Sequence, residues 1–258
     1  MTFKIKIYDG NSALRERVNT EAPLMLMRGI VNETLQTDQM IIWAFDGPYG
    51  NARRREFYSE YKAQRKITRP DIYKGLAFIR EILALTPAWV CRHEDFEGDD
   101  VIAALVKMFP NDPIQIVSTD RDLIALTDGT RITCTANPFK FPNEYIGLYK
   151  LTVGDVSDNI GGIPGYGQLS WNTADKMQLA HLLDAVIEGR PIKEGWITAA
   201  NIKPGVRKWL ETKGQEQLPL IMRVIAPLPV SDEQMNVALQ RGINNPEARE
   251  ALLERYFL

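Results

Sequence analysis

The chain has 258 residues, of which 45% are hydrophobic and 25% are charged, and its formal net charge is −2. These values are ordinary for a soluble globular protein, and the length allows one large domain with an appendage or two modest domains. No apolar stretch is long enough to span a bilayer, and the N-terminal residues read as a strand rather than a secretory signal, so we expect a cytoplasmic protein without a membrane partner.

Short apolar runs alternate with helical patterns along the first half of the chain. Runs rich in Ile, Val and aromatic residues predict strands over residues 3–8, 40–45 and 113–118. Helical spacing predicts helices over residues 22–36, 70–85 and 99–109. This alternation predicts an α/β fold, with a central and mostly parallel sheet that carries helices on both faces.

The second half of the chain has a different pattern. Residues 191–230 contain several prolines and predict loops and short helices. Residues 244–258 predict a closing helix that begins at Pro246. We therefore predict an α/β domain over residues 1–150 and a helical region over residues 151–258.

Aspartates follow each of the predicted strands. Asp9 follows the first and Asp46 the second, and Asp120 and Asp122 lie just beyond the third. Any one of them alone is more simply a turn former or a helix N-cap. Because ligands of open α/β sheets bind at the carboxyl ends of the strands, we expect these side chains to converge there.

The stretch EGDDVIAAL, residues 97–105, adds Glu97, Asp99 and Asp100 directly before an apolar run. Two carboxylates about 4 Å apart repel by roughly 4 kcal/mol at an effective dielectric constant of 20, so a larger set needs bound cations or protonation. Two cysteines, Cys91 and Cys134, and two histidines are too few for a disulfide framework or a zinc site. The economical explanation is a hard divalent cation bound by oxygen, above all Mg²⁺.

A second acidic pair precedes a glycine-rich turn in LTVGDVSDNIGGIPGYG, residues 151–167. Asp155 and Asp158 lie three residues apart, close enough to share a ligand on one turn. The bare backbone of the glycines that follow suits a close approach to phosphate, although such a turn is equally consistent with a structural loop.

Residues 51–74, NARRREFYSEYKAQRKITRPDIYK, carry eight basic and three acidic residues, a net charge of +5. Interleaved aromatic residues add rings that stack on exposed bases, so the segment suits single-stranded or flexible nucleic acid. The simpler alternative is a solvated helix face with ordinary ion pairs. The predicted nucleic-acid contacts in this segment are Arg53, Arg54, Arg55, Tyr61, Lys66 and Arg69.

Taken in order, these motifs resemble the flap endonuclease and 5′-nuclease superfamily. That family includes the 5′-nuclease domain of bacterial DNA polymerase I and the stand-alone 5′ to 3′ exonucleases of bacteriophages, and the latter are the most similar in length. The resemblance spans roughly residues 3–167. The motifs that carry it are YDGNS at 8–12, FDG at 45–47, RRREFYSEYKAQR at 53–65, EGDDVIAAL at 97–105, STDRDL at 118–123 and GDVSDNIGGIPGYG at 154–167.

The resemblance implies an enzyme, a structure-selective and sequence-independent 5′ to 3′ exonuclease or flap endonuclease. It would hydrolyse DNA, and also RNA primers, by a mechanism with two or more Mg²⁺ ions, for which Mn²⁺ would substitute. The implied partners are DNA with 5′ ends, flaps or nicks, and RNA–DNA hybrids, bound by a monomer.

The resemblance also assigns roles to individual residues. Lys62 and Arg65 would contact the scissile phosphate from the base of a helical arch, about residues 51–74. The first metal group would be Asp9, Asp46, Glu97, Asp99 and Asp100, and the second would be Asp120, Asp122, Asp155 and Asp158. The glycine-rich turn, with Gly162, Gly165 and Gly167, corresponds to a helix-three-turn-helix element that binds duplex backbone, often with K⁺. Relatives carry a basic residue after this turn, and here Lys176 is the candidate replacement.

Two alternatives stay open. One is a nuclease-like scaffold without catalytic activity that binds branched nucleic acid, and the other is a PIN-type ribonuclease. Every acidic position of the motifs is filled, which favours catalysis. The glycine-rich turn and the basic segment favour the flap-nuclease branch.

Overall fold

The computed structural model describes residues 4–17, 23–35, 38–65 and 70–257. The chain divides into two compact units. The first contains residues 1–50, 66–138 and 229–258, and the second contains residues 51–65 and 139–228. The predicted boundary at residue 150 stays a prediction, since compactness alone does not show which part folds or binds independently.

A mostly parallel sheet forms the centre of the first unit. In chain order, strands β1 to β6 are Ile5–Asp9, Met40–Ala44, Trp89–Cys91, Ile114–Val117, Ile132–Cys134 and Leu239–Arg241. Within the described residues the strands lie in the order β5-β4-β1-β2-β3-β6, and all neighbours are parallel except β3 and β6. The predicted α/β fold is confirmed. Strands β3, β5 and β6 were not predicted, because three residues each are too few to show a strand pattern.

Helices of very different length surround these strands or form the second unit. In chain order, α1 to α13 are Gly10–Arg17, Pro23–Leu35, Ala52–Phe57, Pro70–Ala84, Gly98–Met108, Ile146–Val153, Gln168–Thr173, Lys176–Ile187, Glu194–Ala199, Pro204–Trp209, Gln215–Ile225, Asp232–Ala238 and Pro246–Phe257. The helices predicted around residues 22–36, 70–85 and 99–109 are α2, α4 and α5. The predicted closing helix is α13, and it begins at Pro246 as expected.

The core of the first unit follows from the alternation of side chains along the strands. Ile41 and Trp43 pack with α2, α4 and α13 on one face of the sheet, and the ring of Trp43 stacks on that of Tyr8 at a centroid distance of 4.3 Å. Ile42, between them, points to the opposite face, and α5 contacts both β1 and β2. Burial on both faces explains why these strands are nearly continuous apolar runs.

The second unit is helical in its described residues and has a core of its own. The centre of this core contains Trp171, Leu179 and Leu182. Tyr61 is only 3% exposed and belongs to the same core, which is why residues 51–65 group with the second unit. None of the helices described in either unit is both long enough and apolar enough to cross a membrane.

Candidate metal centre and basic segment

The carboxyl ends of three neighbouring strands bring aspartates of the first unit to one edge of the sheet. Asp9 is the last residue of β1 and lies in register with Ala44 of β2, so Asp46 follows just beyond it. On the other side of β1, strand β4 ends at Val117, and Asp120 lies three residues further on. Sequence order and strand register together therefore place these carboxylates at one edge.

Asp9 is the most deeply buried of these aspartates, with 6% of its surface exposed. Its Oδ1 accepts the backbone N–H of Ser12 at 2.9 Å, and its Oδ2 accepts the hydroxyl of Ser118 at 2.7 Å. Burial raises the pKa of Asp9 to about 6, and repulsion from Asp46 and Asp120 adds to the rise, although the two hydrogen bonds oppose it. Asp9 therefore carries a negative charge that its surroundings do not fully compensate.

Asp46 is held by contacts on both carboxylate oxygens. Its Oδ1 accepts the backbone N–H of Gly98 at 2.7 Å, and its Oδ2 accepts the side-chain amide of Asn11. A Cβ atom at Gly98 would lie 3.1 Å from Asp46 Oδ1, so glycine permits this close approach. The backbone carbonyl of Asp46 accepts Nε of Arg92 at 3.0 Å.

The acidic residues at the start of α5 also stabilise that helix. Asp100 is fully buried, and its Oδ2 accepts the backbone N–H of Glu97 at 3.1 Å, one half of a capping box. Glu97 is 7% exposed, and Asp99 is half-buried in the same turn. An ordinary capping role therefore accounts for part of the EGDD cluster. It does not exclude metal binding, because a carboxylate has two oxygens and several lone pairs.

Ser118 links Asp9 to the other end of the edge. Its hydroxyl oxygen accepts the backbone N–H of Asp120 at 2.9 Å while its proton is donated to Asp9. Asp120 Oδ1 in turn accepts the backbone N–H of Asp122 at 2.9 Å and caps the 3-10 helix Arg121–Leu126. Sequence reasoning missed Asn11, Ser12 and Ser118, although they lie in the motifs YDGNS and STDRDL.

The donor chemistry of this edge fits a hard divalent cation. The groups that converge are carboxylates, which Mg²⁺ prefers, and they repel one another unless a cation or a proton compensates them. The thiol of Cys134 lies near Asp120 and Asp9, but burial raises its pKa, so it stays protonated at neutral pH and is a poor metal ligand.

In the second unit, basic side chains already compensate the predicted metal ligands Asp155 and Asp158. Lys150 Nζ lies 2.6 Å from Asp155 Oδ2. Burial alone would raise the pKa of Asp155, but the hydrogen bonds from Lys150 and Ser157 outweigh it and the pKa is lowered. Asp158 Oδ1 lies 2.7 Å from Arg65 Nη2 and 3.8 Å from Lys62 Nζ. The predicted second metal group has members in both units and stays a prediction.

Lys62 and Arg65 are tied to the loop around Asp158 by more than charge. Lys62 is 7% exposed and has a left-handed backbone, with φ of 53°. Its backbone N–H donates to the carbonyl of Asp158 at 3.0 Å, and its ammonium lies 4.8 Å from the centroid of the Tyr61 ring. Arg65 Nε donates to the carbonyl of Ser157 at 3.2 Å.

Several residues predicted to contact nucleic acid have structural partners instead. Arg54 is 4% exposed and donates to the carbonyls of Val224 and Ala226, at the end of α11. Tyr61 is buried, so its ring does not face solvent for base stacking. Arg55 is exposed, and its guanidinium donates to the carbonyl of Tyr61.

Three further members of this set complete the basic segment. Arg53 is partly exposed. Lys66 and Arg69 lie outside the described residues.

The glycine-rich turn joins α6 to α7 within the second unit. Gly162 has a φ of 61°, and a Cβ atom there would meet the backbone of Gly154 and Thr152, so the tight turn requires glycine. Gly165 also has a positive φ, of 82°, and Gly167 immediately precedes α7.

Lys176, the candidate replacement for a basic phosphate contact, has a structural role. Its ammonium donates to the carbonyls of Trp171 and Ala174, at 2.5 and 2.6 Å, and lies 4.8 Å from the ring centroid of Trp171. It therefore closes the end of α7 rather than reaching outward.

Comparisons with known proteins agree with the architecture. The family model described as "5′-3′ exonuclease, N-terminal resolvase-like domain" matches residues 8–149, more than half of the chain. DNA polymerase I of Caldicellulosiruptor bescii is 29% identical over an alignment of 271 positions, which covers 92% of this chain and 30% of that protein. A 5′-3′ exonuclease of Mycoplasma pneumoniae is 33% identical over 133 residues, which cover 44% of this chain and 46% of that protein. The chain thus spans less than half the length of these curated relatives.

A solved structure shares the fold at low sequence identity. The bacteriophage T5 flap endonuclease, in a complex with DNA and metal ions, superposes with a TM-score of 0.53 at 17% identity. The match covers 97% of this chain and 99% of the T5 chain.

Proposed function

The chain belongs to the 5′-3′ exonuclease family that the N-terminal resolvase-like domain defines, and on this premise we propose that it is a structure-selective 5′-nuclease. Its substrate would be DNA with 5′ ends, flaps or nicks, and its reaction the hydrolysis of phosphodiester bonds without sequence preference. RNA–DNA hybrids and RNA primers are further substrates of the proposal. The protein would act as a monomer in the cytoplasm.

The observation that carries this proposal is the charge on buried Asp9. Its pKa is raised to about 6 by burial and by neighbouring Asp46 and Asp120, at an edge where the fold places ligands. A purely structural role would favour uncharged side chains at these positions. A bound divalent cation would compensate this charge.

Asp9, Asp46 and Asp120 would hold Mg²⁺, with Glu97, Asp99 and Asp100 binding directly or through water. When bound, Mg²⁺ lowers the pKa of a coordinated water and offsets charge on the phosphate oxygens. Ser12 and Ser118 fix the two oxygens of Asp9, and Asn11 and Gly98 fix those of Asp46. These hydrogen bonds keep the carboxylates oriented before any ion or substrate binds.

Lys62 and Arg65 would bind the scissile phosphate and offset the charge that develops on it. Both are paired with Asp158 in the described structure. A substrate phosphate would therefore replace the Asp158 carboxylate as their partner. While no substrate is present, the carboxylate keeps both cations compensated. Asp122, Asp155 and Asp158 complete the proposed second metal group.

The turn between α6 and α7 would bind duplex backbone through the N–H groups around Gly162, Gly165 and Gly167, with K⁺ as an additional ion. The T5 flap endonuclease, which shares the fold, was solved with DNA and metal ions, and this supports the proposal that this fold can bind both.

The test is a cleavage assay with 5′-labelled flap, nicked duplex and RNA–DNA hybrid, each with Mg²⁺, Mn²⁺ or EDTA. We expect cleavage near 5′ ends with either metal and none in EDTA. Asp46→Asn should abolish cleavage, whereas Asp38→Asn should not, because exposed Asp38 lies before the amino end of β2. Binding of flap DNA without any cleavage in Mg²⁺ would favour the inactive binding module. Cleavage of RNA alone would favour the PIN-type ribonuclease.

A further inference from the structure

Two arginines of the first unit flank the carboxyl end of β2. The guanidinium of Arg80, on α4, lies 5.6 Å from the ring centroid of Phe45. Arg92, which directly follows β3, donates Nε to the backbone carbonyl of Asp46 at 3.0 Å. Phe45 and Asp46 are consecutive residues, so both cations border the edge that carries the candidate metal centre.

Burial and a neighbouring cation both disfavour the positive charge of Arg80. Arg80 is half-buried, and among the described residues its guanidinium makes no hydrogen bond or ion pair. The pKa of Arg80 is lowered by burial and then by repulsion from Arg92, which Glu81 only partly offsets.

Stacking on Phe45 is the simplest structural role for Arg80, but it does not explain a second cation beside it. Two neighbouring guanidinium groups repel, and each has a planar set of donors that fits phosphate oxygens in pairs. A phosphate between them would remove the repulsion. It would also give an anionic substrate a favourable contact next to a cluster of carboxylates that otherwise repels it.

We propose that Arg80 and Arg92 together bind one phosphate group of the nucleic-acid substrate, beside the candidate metal centre. The site uses residues other than Lys62 and Arg65, and it rests on the proposed function because it presupposes a nucleic-acid substrate. The phosphate is either an internal diester or the terminal 5′-monoester, whose two charges match two arginines.

The test measures DNA binding in EDTA, where cleavage does not interfere. A fluorescently labelled duplex with a single-stranded 5′ arm is titrated at several salt concentrations, with either a 5′-phosphate or a 5′-hydroxyl. We expect Arg80→Gln and Arg92→Gln each to weaken binding about tenfold and to lower the slope of log Kd against log salt by about 1. The double variant should lose no more slope than either single variant, because both arginines hold the same phosphate.

Arg241 provides a matched control. Its guanidinium also lies over an aromatic ring of the first unit, 5.9 Å from the centroid of Trp89, but Trp89 is at the opposite end of β3. Arg241→Gln should leave the slope unchanged. Arg80→Lys should keep the slope and lose part of the affinity, since it keeps the charge without the paired donors.

The melting temperature separates this role from a structural one. Arg80→Gln loses the contact with the Phe45 ring and Arg92→Gln loses the hydrogen bond to the Asp46 carbonyl, but each also relieves repulsion, so both variants should melt close to the wild-type temperature. Weaker binding of both the 5′-phosphate and the 5′-hydroxyl DNA identifies an internal phosphate. Weaker binding of the 5′-phosphate DNA alone identifies the terminal one.

Slopes equal to that of Arg241→Gln, or a wild-type protein that binds no DNA, would overturn the proposal. If the wild type binds DNA but cleaves nothing in Mg²⁺, the proposed function fails. The arginine pair is then still judged by its slopes.

Discussion

The Nη2 atom of Arg65 lies 2.7 Å from Oδ1 of Asp158, although the resemblance to the 5′-nuclease superfamily assigns the first residue to a substrate phosphate and the second to a metal ion. Lys62 shares the same carboxylate oxygen at 3.8 Å. One carboxylate thus keeps two cations compensated in the second unit. Removal of the carboxylate should lower the stability of the protein, whereas removal of Lys62 should lower the rate of cleavage.

The first prediction is that Asp158→Asn destabilises the protein. Lys62 is nearly buried, so loss of the carboxylate charge 3.8 Å from its ammonium should lower the free energy of unfolding by about 2 kcal/mol, whereas the more exposed Arg65 contributes little. Urea unfolding of the metal-free protein measures this change. In a Lys62→Met background the same substitution should cost much less. An equal loss in both backgrounds would contradict the pairing.

The second prediction concerns the chemical step. Lys62→Ala should lower the single-turnover cleavage rate by about 10²- to 10³-fold, since it removes one charged donor from the developing phosphate charge. Exposed Lys74 on α4 supplies the control, and Lys74→Ala should leave the rate within a few-fold of wild type. Rates are compared at saturating enzyme, after circular dichroism has shown that both variants are folded. An unchanged rate in Lys62→Ala would remove this residue from the mechanism.

The third prediction is a pH dependence of stability that Asp9 introduces. Its pKa is raised from 3.8 to about 6, so the folded state binds a proton more tightly than the unfolded state. The stability that proton binding at Asp9 gives the folded state is complete below pH 4 and is lost as the pH rises through 6. Relative to Asp9→Asn, the metal-free wild type should therefore lose up to about 3 kcal/mol between pH 4 and pH 7.

Chemical denaturation of both proteins across this pH range, in EDTA, gives the difference directly. Asp9→Asn should also be inactive in cleavage, so it would be a more stable protein without function. Added Mg²⁺ should restore stability to the wild type above pH 6 and have a smaller effect on Asp9→Asn. Parallel stability curves for the two proteins would show that Asp9 titrates normally.

The position of Asp9, Asp46 and Asp120 at one edge of the sheet could be predicted from sequence because it depends on local rules. Each follows a recognisable strand, and parallel strands align their carboxyl ends. The order of the strands was not needed for this step. Short strands such as β5 and β6 were missed, but they lie at the two sides of the sheet and do not carry the carboxylates.

The roles of Arg54 and Tyr61 could not be predicted in the same way. Arg54 bonds to the carbonyl of Val224, 170 positions away in sequence, and Tyr61 enters a core made mainly of residues after 150. A basic and aromatic segment has the same composition whether it faces DNA or packs against another helix. The position of Arg80 near Arg92 likewise depends on how α4 packs against β3, and the sequence carries no signal for this packing.

The fourth prediction tests whether Lys176 replaces the basic phosphate contact that relatives have after the glycine-rich turn. Its ammonium is held by the carbonyls of Trp171 and Ala174 and by the Trp171 ring, so Lys176→Met should lower the free energy of unfolding by about 1 kcal/mol. The salt dependence of DNA binding should not change. Lys208→Met, at an exposed position of α10, should leave stability nearly unaltered.

Both quantities can be measured on the same protein preparations, by urea unfolding and by DNA titration at several salt concentrations. A phosphate contact would give the opposite result, a slope of log Kd against log salt lower by about 1 with unchanged stability. Because the lysine closes the end of α7, duplex binding at this turn would depend on backbone N–H groups and on neutral side chains. Binding there should then be less sensitive to salt than in relatives with a basic residue at this position.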